Sequence, residues 1–131
     1  MEKVIVDTDV FIDFLRGHKQ RIKKIFTLIQ QKEIKGSISL ISVVELYSGK
    51  DCRQKEKLAV LNKLLYFFEI ISPNLAIAKL AGNLKREYEL GLADAIIAAT
   101  AIEENAQLFT FNLKHFRKVP RLTMTSLSTA I

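Results

Sequence analysis

The chain has 131 residues, 49% of them hydrophobic, and a formal net charge of +6. This length fits one domain with a sizeable core, residues 1–131, and a single cysteine (Cys52) excludes an intrachain disulfide. No apolar run reaches the roughly 18 residues of a membrane span, and the N-terminus lacks the layout of a signal peptide, so we expect a cytoplasmic protein without a membrane partner.

The first thirty residues predict a strand followed by two helices. The apolar run Val4-Ile5-Val6 ends abruptly at Asp7, which is typical of a buried strand. Residues 10–15 favour a short helix. A second helix is predicted over residues 19–31, where apolar residues recur at the spacing of one helical face.

The middle of the chain predicts two more strands and two more helices. Gly36 breaks the chain, and Ile38, Leu40 and Ile41 indicate a second short strand. The next helix begins at Ser42 and reaches Gly49, a plausible C-cap. A further helix covers residues 54–68, and Glu69-Ile70-Ile71 reads as a third strand.

The last part of the chain continues the alternation. Helices are predicted over residues 74–90 and 92–104, the second rich in alanine, then a strand over 107–111 and a weak last strand over 122–125. Strands that alternate with helices favour an α/β domain with a mostly parallel sheet.

Three acidic residues occupy similar places in this predicted fold. Asp7 follows the first strand directly, Glu45 lies in the first turn after the second strand, and Asp94 lies in the first turn of the alanine-rich helix. Functional groups gather at the carboxyl ends of parallel strands. Carboxylates brought together repel, and a cation relieves this; an all-oxygen cluster suits Mg²⁺ or Mn²⁺ rather than zinc.

Each acid also has a purely structural interpretation. Ser42 and Glu45 have the spacing of a capping box. Asp94 would be favourable near a helix N-terminus because of the helix dipole. Asp7 and Asp9 could cap the first helix. These alternatives stay open at the level of sequence, although Asp7 is the hardest to explain structurally because it ends an apolar strand.

Two further surfaces are predicted from charge and helical periodicity. Residues 107–131 contain four basic residues and no acid, which suits a polyanion such as nucleic acid or is simply a solvated tail. The helix over 54–68 is apolar on two sides, so it is either a core helix or a protein-binding surface. The residues concerned are Lys114, Arg117, Lys118 and Arg121 in the first surface and Val60, Leu64 and Phe67 in the second.

Four segments together resemble a known family, the PIN-domain ribonucleases, and most closely the VapC-type toxins of toxin–antitoxin pairs. Each segment alone is weakly specific, but the four occur in the family's order over nearly the whole chain. They are Val4 to Ile12 with Asp7, Ile41 to Gly49 with Glu45, Leu92 to Ala101 with Asp94, and Leu108 to Phe116 with the pattern T-x-N-x-x-x-F.

The resemblance implies a fold, a reaction and partners. It implies a three-layer α/β/α sandwich with a short, mostly parallel central sheet, and Mg²⁺- or Mn²⁺-dependent endonucleolytic cleavage of RNA. It also implies a homodimer and inhibition by a cognate antitoxin. Asp7, Glu45 and Asp94 would be the metal acids. Many relatives have a fourth acid in the last segment, where this chain has Asn112 and His115, so a single metal ion or a weaker second site is expected.

Other residues receive supporting parts in this hypothesis. Thr8 or Thr110 would hydrogen-bond the acids or the phosphate. Asp9 would support the metal ligands without binding the metal itself, and Asn112 would offer its carbonyl oxygen to the metal or to a metal-bound water. The four basic residues near the C-terminus would track the RNA backbone.

Three alternatives compete with this reading. Asp7-Thr8-Asp9-Val10 also fits the start of haloacid-dehalogenase-like phosphatases, with Asp7 as nucleophile. A PIN-fold module that binds RNA or protein without cutting is a second alternative. The third is a nuclease that cuts DNA, because metal-aided hydrolysis does not require a 2′-hydroxyl.

Overall fold

The structure is a computed structural model that describes residues 1–18 and 22–125. Its centre is a four-stranded sheet with the order β3-β2-β1-β4, in which the neighbouring strands pair in parallel. The four strands are β1 (Lys3–Val6), β2 (Lys35–Ser39), β3 (Glu69–Ile71) and β4 (Gln107–Phe109).

Seven α-helices in the described residues connect and cover these strands, with a 3-10 helix at Lys50–Arg53. No helix among the described residues is long and apolar enough to cross a membrane. The α-helices are α1 (Thr8–Leu15), α2 (Lys23–Gln30), α3 (Leu40–Ser48), α4 (Lys55–Leu65), α5 (Leu75–Tyr88), α6 (Leu92–Glu103) and α7 (Leu113–Phe116).

Alternation along β1 divides the core between the two faces of the sheet. Val4 and Val6 pack into a cluster with α1, α2 and α4, whereas Ile5 packs into a second cluster with α5 and α6. Successive strand residues point to opposite faces, so a strand that is apolar throughout needs cover on both sides. The predicted α/β/α sandwich with a parallel sheet is therefore confirmed.

The second strand and the helix after it begin earlier than predicted. Gly36 does not break the chain but lies inside β2, while Leu40 and Ile41 are the first residues of α3. The reason is Ser39, whose hydroxyl accepts a hydrogen bond from the Ile41 N–H at 3.3 Å and so caps the helix. The predicted strand residues Leu40 and Ile41 and the predicted helix start at Ser42 are wrong.

The remaining differences are at the ends of elements. The helix predicted over 19–31 is observed from Lys23, and residues 19–21 lie outside the described part of the chain. The strand predicted over 107–111 ends at Phe109, and the strand predicted over 122–125 is one bridge between Leu108 and Met124. The sequence did not predict α7, which is only four residues long.

One predicted surface residue is buried. Leu64 is only 6% exposed and packs into the core beside Leu61, and its part in a partner or dimer surface stays a prediction. Residues three apart share a helix face, and the face of Leu61 and Leu64 is the inner one. Val60 and Phe67 remain 42% and 47% exposed, and their part in a partner surface stays a prediction.

Candidate active site

A cleft of about 410 Å³ opens at the carboxyl ends of the strands. It brings together the three predicted acids, which come from the end of β1, from α3 and from the first turn of α6. Two lining residues were not predicted: Ile12, three positions after Asp9, and Ser48, three positions after Glu45. The cleft is lined by Asp7, Thr8, Asp9, Ile12, Glu45, Ser48, Asp94 and Asn112.

Asp7 is fixed at the junction of β1, α1 and β4. Its Oδ1 accepts a hydrogen bond from the Thr8 N–H at 2.8 Å, which caps α1. Its Oδ2 accepts one from the Thr110 hydroxyl at 2.7 Å, and its own N–H donates to the Phe109 carbonyl at 2.9 Å. The side chain is therefore held from the start of α1 and from the end of β4, and the residue is only 4% exposed.

Burial and neighbouring acids make the charge of Asp7 costly. Desolvation, then repulsion from Asp9 and Asp94, raises the pKa of Asp7 to about 7, against the lowering effect of its hydrogen bonds. Burial also raises the pKa of Asp9, although a backbone hydrogen bond from Phe111 opposes the shift. No lysine or arginine is among the described residues that line the cleft.

Glu45 is held through a hydroxyl relay. Thr8 Oγ1 lies 2.7 Å from Glu45 Oε1 and 2.8 Å from Ser42 Oγ. Because a carboxylate only accepts, the Thr8 hydroxyl donates to Glu45 and is left to accept from Ser42. The capping-box interpretation of Ser42 and Glu45 is therefore wrong. Ser42 is a fully buried residue of the site that sequence reasoning missed.

The side of the cleft around Asp94 is formed by polar residues. The Asn112 N–H donates to the Thr110 hydroxyl at 2.9 Å, which places the Asn112 side chain in the cleft. His115 Nδ1 lies 2.8 Å from Asn112 Nδ2 and 3.4 Å from Asp94 Oδ2. Thus His115 contacts Asp94 directly, and Asn112 is linked to Asp94 through His115.

Comparison with known proteins decides the family. The PIN domain family matches residues 4–122 of this chain. This chain belongs to the PIN-domain family. The assignment replaces the haloacid-dehalogenase alternative, since Asp7-Thr8-Asp9-Val10 lies within the matched segment.

Several relatives of this PIN domain have names that bear on function. Ribonuclease VapC10 of Mycobacterium tuberculosis is 32% identical over 118 residues, which cover 86% of this chain and 85% of the relative. A chain from the crystal structure of VapBC2 from Rickettsia felis bound to a promoter DNA fragment has a TM-score of 0.76 at 28% identity, covering 94% of this chain and 97% of its own. A chain from a toxin–antitoxin complex of Klebsiella pneumoniae has a TM-score of 0.74 at 29% identity, covering 92% and 96%.

The residues of this PIN domain fit a hard divalent cation such as Mg²⁺. One oxygen of Asp9 is buried without a hydrogen-bond partner among the described residues, and the charged side chains among those that line the cleft are all carboxylates. Within residues 1–18 and 22–125, no three His, Cys, Asp or Glu side chains form a ready-made metal site. Mg²⁺ does not require one, because it usually keeps several waters and binds one or two carboxylates.

The basic residues predicted to contact the RNA backbone follow Asn112 in the chain. Lys114 belongs to α7, two residues after Asn112, and Arg117, Lys118 and Arg121 follow it; all four are exposed. These basic residues thus follow directly in sequence on a residue that lines the cleft. Their contact with RNA stays a prediction.

Proposed function

We propose that this PIN domain is a divalent-metal-dependent endoribonuclease and the toxin of a toxin–antitoxin pair. The observation that carries the proposal is the cleft in which Asp7, Asp9, Glu45 and Asp94 meet. The relative named Ribonuclease VapC10 supports RNA as the substrate. The basic residues after Asn112 supply the charge that an RNA backbone requires.

The proposed mechanism assigns Asp7, Glu45 and Asp94 as the residues that would hold Mg²⁺ or Mn²⁺. When bound, such an ion supplies positive charge for the scissile phosphate and a water of lowered pKa. Thr110 and the Thr8 N–H keep both oxygens of Asp7 in place, and the Thr8 hydroxyl keeps Glu45 in place. Asn112 offers a neutral amide, so it can orient a water or a phosphate oxygen without adding negative charge.

The test is cleavage of a mixed pool of single-stranded and structured RNA, with Mg²⁺, with Mn²⁺ and with EDTA. We expect metal-dependent cutting that falls by a factor of about 100 or more in Asp7→Asn and Asp94→Asn, since each removes a charged ligand. Glu103→Gln is the matched control, because it makes the same chemical change at the other end of α6 and should cut normally.

The same assay distinguishes the alternatives. Full activity of Asp7→Asn would contradict the proposed metal site. Binding of Mg²⁺ and RNA without cutting under any condition would support a binding-only module. An equal rate on a DNA pool of matched sequence would show that the 2′-hydroxyl is not read.

The proposed antitoxin surface is an apolar groove of about 290 Å³ beside α4. All three residues of the predicted partner surface line it: Val60 and Phe67 are exposed, and the buried Leu64 forms its floor. The relative from Klebsiella pneumoniae, described as a toxin–antitoxin complex, supports a protein partner. The groove is lined by Phe14, Gln30, Val60, Lys63, Leu64 and Phe67.

Two charged substitutions test this surface. We expect Val60→Asp with Phe67→Asp to prevent a co-expressed cognate antitoxin from relieving growth arrest, because a carboxylate in the groove would be desolvated on binding. Leu75→Asp is the control, an exposed apolar residue on α5, on the other side of the sheet. Light scattering of the same variants tests the proposed homodimer. If the molar mass is halved in the Val60→Asp and Phe67→Asp variant but not in Leu75→Asp, the groove is the dimer contact rather than the antitoxin surface.

A further inference from the structure

The 3-10 helix Lys50–Arg53 begins at the rim of the cleft. It follows α3, whose last residue, Ser48, lines the cleft. Consecutive Cα atoms are about 3.8 Å apart, so the Cα atom of Lys50 lies within about 8 Å of that of Ser48. The first basic residue after α3 is therefore next to the cleft.

The geometry of this helix places two cations side by side. In a 3-10 helix, side chains three residues apart are eclipsed, and the rise is about 2 Å per residue. Lys50 and Arg53 therefore lie on the same side, with Cα atoms roughly 6 Å apart along the axis. Both are exposed, and neither has an ion-pair partner within 4 Å in the described part of the chain.

The acid in this helix is already used to anchor it. Asp51 Oδ2 lies 3.5 Å from Arg16 Nε, and Asp51 Oδ1 lies 3.2 Å from Lys57 Nζ. These contacts tie the 3-10 helix to the end of α1 and to α4. The Cys52 thiol also contacts the Leu46 carbonyl at 3.2 Å. Lys50 and Arg53 are thus held on an anchored segment whose own carboxylate does not neutralise them.

The sheet order places this pair opposite the other basic residues. The 3-10 helix follows β2 and α3, whereas Lys114, Arg117 and Lys118 follow β4, and β1 with Asp7 lies between the two strands. Neighbouring strands are about 4.8 Å apart, so the ends of β2 and β4 are about 10 Å apart. Lys50 and Arg53 do not lie at the end of β2 itself, because α3 carries the chain about 13 Å further to Ser48 at the cleft. They therefore approach the acids from the rim beside Ser48, whereas the basic residues after Asn112 approach from the side of β4.

We propose that Lys50 and Arg53 form a second phosphate-binding site for single-stranded RNA, on the opposite side of the cleft from α7. The inference rests on the proposed ribonuclease function and deepens it. The substrate backbone crosses the acids, with phosphates on one side of the scissile bond held by Lys50 and Arg53 and those on the other side by the residues after Asn112. A positively charged groove that follows the backbone is the usual way to hold a single strand.

The test measures RNA binding rather than cutting. In an Asp7→Asn background, the affinity for a fluorescent single-stranded RNA is measured by anisotropy at several salt concentrations, with and without Lys50→Glu and Arg53→Glu. We expect at least a tenfold loss of affinity. The slope of log K against log salt should fall by about 1.4, because each phosphate contact contributes about 0.7 for single strands.

The control makes the same charge change on the opposite edge of the sheet. Lys3 begins β1 and Lys32 lies in the turn before β2, both exposed and away from the carboxyl ends. Lys3→Glu with Lys32→Glu should change the affinity less than threefold. An equal loss in both double variants would overturn the inference, because only net charge would then matter.

The remaining outcomes separate this inference from the proposed function. RNA binding by Asp7→Asn that is unaffected by Lys50→Glu and Arg53→Glu overturns the inference alone. No RNA binding by Asp7→Asn, together with no cutting by the wild type, overturns both. If the Lys50→Glu and Arg53→Glu variant binds RNA normally but its growth arrest is no longer relieved by the antitoxin, the two residues would bind an acidic protein partner instead. If the glutamate variants do not fold, Lys50→Gln with Arg53→Gln replaces them, with about half the change in charge and the same expected change in slope.

Discussion

At the scale of single residues, Asp7 combines two uses that the sequence left as alternatives. One carboxylate oxygen caps α1 through the Thr8 N–H, while the other faces β4 and accepts from Thr110. The cap uses only part of the side chain, so the structural interpretation does not exclude a functional one. The raised pKa of Asp7 shows that burial of this carboxyl makes its charged form less favourable in the folded protein.

Thr8 gives the sharpest residue-scale prediction. Thr8→Val keeps the shape of this buried side chain but removes the hydroxyl that Glu45 and Ser42 share. Losing a residue that orients a metal ligand typically lowers metal affinity or activity by about 10–100-fold. We therefore expect weaker Mg²⁺ binding by calorimetry and a loss of that size in RNA cleavage.

Thr8→Ser is the matched control, because it retains the hydroxyl and loses only a methyl group. It should recover most of the Mg²⁺ affinity that Thr8→Val loses. If both variants are equally impaired, packing around Thr8 rather than its hydrogen bond to Glu45 would explain the effect.

At the scale of elements, β2 and α2 approach closely because Gly36 has no side chain. A Cβ atom at Gly36 would lie 2.8 Å from Ile29 Cδ1 and 2.9 Å from Ile29 Cγ2. Such a contact requires a buried side chain to move. We expect Gly36→Ala to lower the free energy of unfolding by about 1–3 kcal/mol, measured by urea denaturation.

Gly82 provides the opposite expectation for the same substitution. It lies within α5, and a Cβ atom there would have no neighbour within 4 Å. Gly82→Ala should therefore stabilise the protein by about 0.5–1 kcal/mol through helix propensity. A stabilising effect of Gly36→Ala would contradict the close approach of α2 to the sheet.

At the scale of the whole molecule, the charge of the cleft makes stability depend on pH. The pKa of Asp7 is about 7 in the folded protein, against 3.8 for an ordinary aspartate as in the unfolded chain. Between about pH 4 and 7 the folded protein therefore retains the proton of Asp7, while the unfolded chain releases it. The stabilisation is complete below about pH 4 and is lost as pH rises through 7. In EDTA, the wild type should therefore lose stability over this range.

Asp7→Asn removes the contribution of Asp7 to this dependence and leaves that of Asp9, whose pKa burial also raises. Each pKa unit corresponds to about 1.4 kcal/mol, so Asp7→Asn should gain up to a few kcal/mol relative to the wild type between pH 4 and 8. Thermal unfolding in EDTA across this range measures the difference. Millimolar Mg²⁺ should stabilise the wild type at pH 8 and flatten its pH profile. Parallel profiles for the two proteins in EDTA would contradict the raised pKa of Asp7.

The sequence alone determined the layers of the fold and the acids that meet. Apolar runs that end in an acid and helices with regular apolar spacing are local signals, so β1, β3, α5 and α6 were predicted close to their observed positions. Parallel strands then bring Asp7, Glu45 and Asp94 to one edge. This much follows from periodicity and from the topology that periodicity allows.

Only the tertiary structure decided how these residues are held. The hydroxyl of Thr8 meets Ser42 across 34 positions of sequence, and Thr110 meets Asp7 across 103. No local pattern specifies such pairs. For the same reason Ser42 looked like a helix cap and Leu64 like a surface residue. Whether a polar group caps a helix or supports an acid, and which side of a two-sided helix is buried, depends on the neighbours that folding supplies.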